Sequence, residues 1–184
     1  MINIKFLVVI IYNIFIYYIN LSLAKEMIIK NNSENFYNIK NVIVENQNDS
    51  QLILKFLDNY YDFSLISNQI KFEVLSNITF VGGNKGTIFD FVYGEHKSEN
   101  IILQFLASNG NSVIFKNITF QNYSEDVNRL GVMMFIVSSR TDNFLVEFEN
   151  CNFINNSYPL MQLDVSYNKE TNKEAYYVVE NCNF

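Results

Sequence analysis

Leu75-Ser76-Asn77-Ile78-Thr79-Phe80, Phe115-Lys116-Asn117-Ile118-Thr119-Phe120, Phe148-Glu149-Asn150-Cys151-Asn152-Phe153 and Val179-Glu180-Asn181-Cys182-Asn183-Phe184 are four versions of one hexapeptide: apolar, polar, Asn, apolar, polar, Phe. They recur at spacings of 40, 33 and 31 residues. In a strand, the side chains of one face recur every second residue, and the step of three between the first two apolar positions breaks that alternation at the Asn. A corner placed at the Asn restores it. Asn enters the left-handed region at low cost and its amide bonds nearby backbone, which suits a one-residue change of direction between two short strands.

A chain that bends at the same residue once per copy is a solenoid, in which equivalent side chains stack about 4.8 Å apart. The sequence therefore predicts an all-β fold of about four parallel coils, with structural corners at Asn77, Asn117, Asn150 and Asn181. Phe80, Phe120, Phe153 and Phe184 are expected to form one core stack, Ile78, Ile118, Cys151 and Cys182 a second, and Leu75, Phe115, Phe148 and Val179 a third. Second apolar segments follow at Thr87 to Tyr93, Val132 to Ser138 and Leu160 to Tyr167, with an extra strand expected over Ile101 to Leu106. Upstream, Asn38 to Glu45 and Leu52 to Leu57 read as strands of a first coil or a cap, and Asn59 to Asp62 as a turn.

The recurring Asn-Ile-Thr-Phe and Asn-Cys-Asn-Phe corners resemble those of the right-handed parallel β-helix proteins, the pectin lyase-like superfamily, over about residues 36 to 184. The segment 150–156 is also similar to the Phe-x-x-Asn repeats of polymorphic outer membrane proteins, at Phe153 and Asn156. The first resemblance implies a right-handed winding. It also admits a polysaccharide lyase or glycoside hydrolase, which would use acidic calcium ligands and a basic residue, or a matched carboxylate pair.

Length and composition frame this reading. With 184 residues, 49% hydrophobic and 17% charged, the chain has enough apolar side chains for a core of its own, which excludes a disordered tail. A net charge of −6 with no basic run argues against nucleic acid as a partner. The 29 Asn, with heavy use of Ile, Phe, Tyr and Lys, suggest an AT-rich coding bias, so Asn counts alone carry no weight.

Lys5 precedes an apolar run from Phe6 to Ile19, interrupted by Asn13, and Ser22-Leu23-Ala24 is an acceptable cleavage site. Residues 1–24 are expected to be a signal helix that is cleaved, or alternatively an anchor through residues 6–24; residues 25–184 are expected to be the β-helix domain. Phe184 falls in the middle of a motif, which predicts a domain incomplete at its C-terminus, or an end covered by a partner or a second copy. A membrane contact would come only through an uncleaved leader or a missing C-terminal segment. Among six Asn-x-Ser/Thr triplets, Asn31, Asn48, Asn122 and Asn155 are the glycosylation candidates, while Asn77 and Asn117 have the structural reading above.

Cys151 and Cys182 occupy the same place in consecutive copies and are candidates for a disulfide between stacked coils, or for plain apolar packing. His96 is the sole imidazole, in a charged loop context, and no catalytic set, metal site or cofactor motif is expected. Asp90, Asp142 and Asp164 could serve an enzyme only by converging in one groove. The expectation is a secreted or cell-surface, non-enzymatic repeat protein with a structural, adhesion or carbohydrate-binding role, whose partners are surface glycans or other extracellular proteins.

Overall fold

A computed structural model describes residues 24–66, 69–91, 100–106, 109–123, 133–157, 159–166 and 177–184. The strands among them form three sheets. The first holds β1 (Lys25–Ile29), β2 (Gln51–Phe56), β5 (Asn77–Val81), β8 (Ser112–Lys116), β11 (Leu145–Glu149) and β14 (Tyr177–Glu180), in that order. The second stacks β3 (Tyr60–Asp62), β6 (Thr87–Asp90), β9 (Ile118–Gln121) and β12 (Asn152–Ile154). The third stacks β4 (Ile70–Glu73), β7 (Ile101–Phe105), β10 (Phe135–Ser139) and β13 (Met161–Val165). Every registered pair is parallel. The chain visits the three sheets in turn and returns one layer further along, a β-solenoid of about four turns.

The corners follow from residue chemistry. Asn117, Asn150 and Asn181 have φ of 57°, 53° and 52°, the left-handed conformation in which Asn and Gly are least penalised. They share a column: the Asn117 N–H donates to Glu149 O (3.0 Å), and the Asn150 N–H to Glu180 O (3.0 Å). Asn122 (60°) and Asn155 (54°) form a second left-handed column where the chain leaves the second sheet.

Asn77 is not in the corner column. It begins β5 and pairs with Gln51, and Gly82 takes the corner place, its N–H donating to Lys116 O (2.9 Å). Between β5 and β6 the loop Gly82-Gly83-Asn84-Lys85-Gly86 does what one Asn does in later rungs, so the first hexapeptide lies five residues out of phase with the others. The expected stacks are redistributed accordingly. Phe80 stacks on Phe115 (4.7 Å), which stacks on Phe148 (4.9 Å), and Leu75 is 53% exposed. Phe89 takes the place expected for Phe80 and meets Phe120 edge-on at 5.7 Å, above which Phe153 (5.2 Å) and Phe184 (5.0 Å) follow. Ile78 pairs with Val113, and Thr87 stands beside Ile118. The Ile101–Phe105 strand is no insertion but the third-sheet strand of its rung, in register with Phe135–Ser139.

Each inward ring removed from water contributes roughly 1.5–3 kcal/mol, and each well-placed ring pair about 0.5–1.5 kcal/mol more. The core is one continuous apolar cluster, running from Ile29 to Phe153.

The segment 38–45 is helical where strands were expected. The helices α1 (Glu34–Tyr37) and α2 (Ile39–Glu45) follow the N-cap Ser33, whose Oγ accepts from the Phe36 N–H at 3.2 Å. Phe36, Ile39, Val42 and Ile43 recur at helical spacing and are all buried, and Phe36 meets Tyr61 (5.2 Å) and Phe63 (5.4 Å). The helix pair covers the β1 end of the core. Of the segment expected as a turn over 59–62, Asn59 is a bend and Tyr60–Asp62 is a strand, β3, in which Tyr61 points inward and its hydroxyl donates to Ile29 O at 2.6 Å.

Candidate ligand-binding face

The outer face of the second sheet aligns side chains from successive rungs in two columns, polar except for Ile88 and Ile154. One column runs Tyr60, Ile88, Thr119, Asn152 and Asn183; the other runs Asp62, Asp90, Gln121 and Ile154. Asp90 anchors the arrangement. It is 4% exposed, and its Oδ2 accepts from the Tyr60 hydroxyl (3.2 Å) and Gln121 Nε2 (2.7 Å) while its Oδ1 accepts from Asn122 Nδ2 (2.9 Å). Donors from the rungs on either side thus converge on one carboxylate, giving a buried acceptor the donors that its desolvation demands.

Above it, Asn183 Nδ2 donates to Asn152 Oδ1 (2.8 Å), and Asn152 Nδ2 to Thr119 Oγ1 (3.3 Å), a ladder of side-chain amides along the axis. Below it, Asp62 Oδ1 accepts from the Ser64 N–H (3.0 Å) and hydroxyl (2.5 Å). Tyr60 is 40% exposed, so part of its ring faces solvent in the same column as this ladder, two rungs from Thr119 with Ile88 between. Its phenol is raised above the ordinary 10.0, first by burial, then by the charge of Asp90 and their hydrogen bond, and by the charge of Asp62. The face therefore presents part of an aromatic ring together with amide and hydroxyl groups, some of them held in place by the buried Asp90 carboxylate. Such a set recognises polar, hydroxyl-rich ligands by hydrogen bonding and ring stacking.

Tyr60, Asp62, Gln121 and Asn122 do not stand out in the sequence as a group. Only the column register joins them, and that register is hidden until the loop at 82–86 is counted as a corner.

The acidic residues of the enzyme reading do not meet. Asp90 is on the second sheet, Asp164 is exposed on β13 of the third, and Asp142 is buried in the corner leading from β10 to the first sheet. Among the described residues no three His, Cys, Asp or Glu side chains are grouped to hold a metal ion. His96 lies outside the described residues.

Cys151 and Cys182, the candidates for a disulfide, are stacked as free thiols in this structure. Both repeat the same pose one rung apart: Cys151 Sγ lies within reach of Phe115 O (3.4 Å) and Glu149 O (3.5 Å), Cys182 Sγ within reach of Phe148 O (3.4 Å) and Glu180 O (3.3 Å), and Cys182 Sγ also accepts from the Cys151 N–H (3.3 Å). Burial, the largest cause, pushes the Cys151 thiol up to about 12, which keeps it protonated and unreactive.

Of the sequon asparagines, Asn48 and Asn155 are exposed, Asn31 is half-buried, and Asn122 belongs to the Asp90 cluster. Of residues 1–24 only Ala24 is described, and no helix among the described residues is long and apolar enough to cross a membrane.

Fold and face together define a parallel β-solenoid with a polar ladder on one flank. No family model matches the chain, and no curated protein and no solved structure is significantly similar to it.

Proposed function

We propose that this chain is a secreted or cell-surface, non-enzymatic β-helix of the right-handed, pectin lyase-like kind, and that it acts as an adhesion module binding carbohydrate on the outer face of its second sheet. The observation that carries the proposal is the convergence of Tyr60, Gln121 and Asn122 on the buried carboxylate of Asp90, continued by the Thr119, Asn152 and Asn183 ladder. Rungs repeat every 4.7–4.9 Å, close to the length of one sugar ring in an extended glycan, so successive rungs can address successive sugars. The ring of Tyr60 supplies the apolar face that pyranose C–H groups stack on. The export half of the proposal is supported by the apolar run of residues 6–19 and the cleavage site before Lys25.

An array of immobilised polysaccharides probed with the folded chain tests the binding half. The expected result is retention on at least one glycan class, weakened about tenfold or more by Tyr60→Ala and by Gln121→Ala while the far-ultraviolet circular dichroism stays unchanged. Binding that both variants retain in full places the ligand elsewhere, and no binding to any glycan removes the carbohydrate reading.

A further inference from the structure

The bend after the second sheet holds Asn122 in one rung and Asn155 in the next, both left-handed and both in an Asn-x-Ser triplet, yet their amides have different fates. Asn122 Nδ2 is committed to Asp90 at 2.9 Å. One rung on, the residue below and diagonal to Asn155 is Gln121, whose own amide is already given to Asp90 at 2.7 Å. The place that Asp90 holds for Asn122 is thus taken by an amide for Asn155, which is exposed, as is Ser157 two residues later. Its neighbour Asn156 faces the other way: its Oδ1 accepts from the Tyr123 N–H (2.9 Å) and its Nδ2 donates to Phe120 O (3.0 Å). The bend is thereby fixed by Asn156, while Asn155 projects outward.

Asn48, Asp49 and Ser50, between α2 and β2, are all exposed, with the Ser50 carbonyl accepting from the Asn77 N–H (3.1 Å). The other triplets are built into the fold. Asn31 Oδ1 accepts from the Asn32 N–H (3.0 Å), and the hydroxyl of its partner Ser33 caps α1. Asn77 Oδ1 holds the start of β8 through the Ser112 N–H (2.9 Å) and hydroxyl (3.1 Å), and Thr79 is 6% exposed. Asn117 is pressed against the Gly82 corner, where a Cβ on Gly82 would lie 2.2 Å from Asn117 O.

We propose that Asn48 and Asn155 are the two N-glycan attachment sites of this chain and that the remaining triplets stay bare; the proposal rests on the export reading above. In the transfer, the bond between the oligosaccharide C1 and the pyrophosphate of a lipid-linked donor breaks, C1 bonds to Nδ2, and that nitrogen loses one proton. A sugar on Asn48 or Asn155 enters solvent. On Asn122 it replaces one of the two amide hydrogens and must fit a bulky sugar against the nitrogen that donates to the buried carboxylate of Asp90 at 2.9 Å.

Translation of the full chain in the presence of endoplasmic reticulum microsomes tests the proposal. Protection from added protease reports export, and endoglycosidase-sensitive bands report the sites. The expected result is a protected chain with two glycans, one lost in Asn48→Gln, one in Asn155→Gln and both in the double variant. An unprotected chain defeats the export reading alone, and the same chain behind an established cleavable leader in place of residues 1–24 then reads the sites by themselves. A translocated chain without glycans, or a glycan that persists in the double variant, overturns the assignment.

Discussion

At the scale of single residues, this fold depends on which side chains tolerate unusual surroundings. Asn117, Asn150 and Asn181 were legible as corners because few residues besides Gly enter the left-handed region cheaply, and an Asn that breaks strand alternation marks a place where the strand must bend or stop. Tyr61 was not legible in this way. Next to Tyr60 it looks like half of a surface pair, but strand alternation sends Tyr60 outward and Tyr61 into the core, where its hydroxyl donates to Ile29 O (2.6 Å) and accepts from the Asp58 N–H (3.1 Å). Burial, the main cause, raises that phenol from 10.0 to about 12. The protonated form is the one the fold favours, so the stabilisation is complete below pH 10 and is lost as the pH climbs toward 12. Two units correspond to about 2.7 kcal/mol. Chemical denaturation of wild type and Tyr61→Phe across pH 9 to 12 checks this. The variant is expected to be less stable at pH 9 by about 1–3 kcal/mol, because the buried Ile29 carbonyl and the part-buried Asp58 N–H each lose a partner, and to lose about 2 kcal/mol less than wild type over the alkaline range. Parallel curves for the two proteins would refute the assignment.

At the scale of the element, one glycine loop accounts for most of the difference between the sequence reading and the structure. Asn77-Ile78-Thr79-Phe80 and Asn117-Ile118-Thr119-Phe120 are the same tetrapeptide, yet the first is a first-sheet strand and the second a corner with a second-sheet strand. Alternation alone cannot tell them apart, since both bury Phe and Ile. Their phase is set by the five residues 82–86, and Gly82 is the position that must approach the next rung. Its missing side chain is what allows this: a Cβ there would sit 2.2 Å from the carbonyl oxygen of Asn117 and 3.0 Å from Thr87 Cβ. Both obstacles are close to the backbone, at the stacked rung and at the start of β6, and neither is the far end of a flexible side chain. Gly82→Ala is therefore expected to cost about 1–3 kcal/mol or more, as forced overpacking does. Ala at Gly83, whose nearest atoms are 3.9 Å away, serves as the control and is expected to cost under about 1 kcal/mol. Urea midpoints measure both, and equal midpoints would mean that the corner is not tight. The helices at 34–45 escaped the sequence reading for a related reason. The spacing of Phe36, Ile39 and Ile43 carries the helical period, but the segment is short and rich in β-branched residues, and only the Ser33 cap and the open end of the first rung decide for helix.

At the scale of the whole molecule, the solenoid is quasi-one-dimensional: each rung is held by its neighbours, and stability is a sum of local terms. Those terms are uneven along this chain. At the β1 end, helices α1 and α2 cover the core, and in β2 Leu52, Leu54 and Phe56 are at most 1% exposed. In the middle rungs Phe80, Phe115, Phe120, Phe135 and Phe148 are packed ring against ring. In β13 and β14 the described side chains are half-buried or exposed, with Leu163 at 43% and Val179 at 37%, and Phe184, past β14, is 76% exposed. Amide hydrogen exchange should therefore be slowest in β5, β8 and β11 and accelerate through β13 to β14, as local opening rather than global unfolding comes to govern exchange. The same gradient sets the cost of losing a ring. Phe115→Ala leaves a cavity among four aromatic neighbours and is expected to cost about 3–5 kcal/mol, while Phe184→Ala, which removes a mostly solvated ring resting on Phe153, should cost under about 1 kcal/mol. The two measurements bear on one point from opposite sides, because exchange reads the energy of opening each rung and truncation reads the energy of its packing. Uniform protection from β2 to β14, together with similar costs for the two truncations, would mean that the molecule unfolds as a single cooperative block, and stacking energy could then no longer be assigned rung by rung.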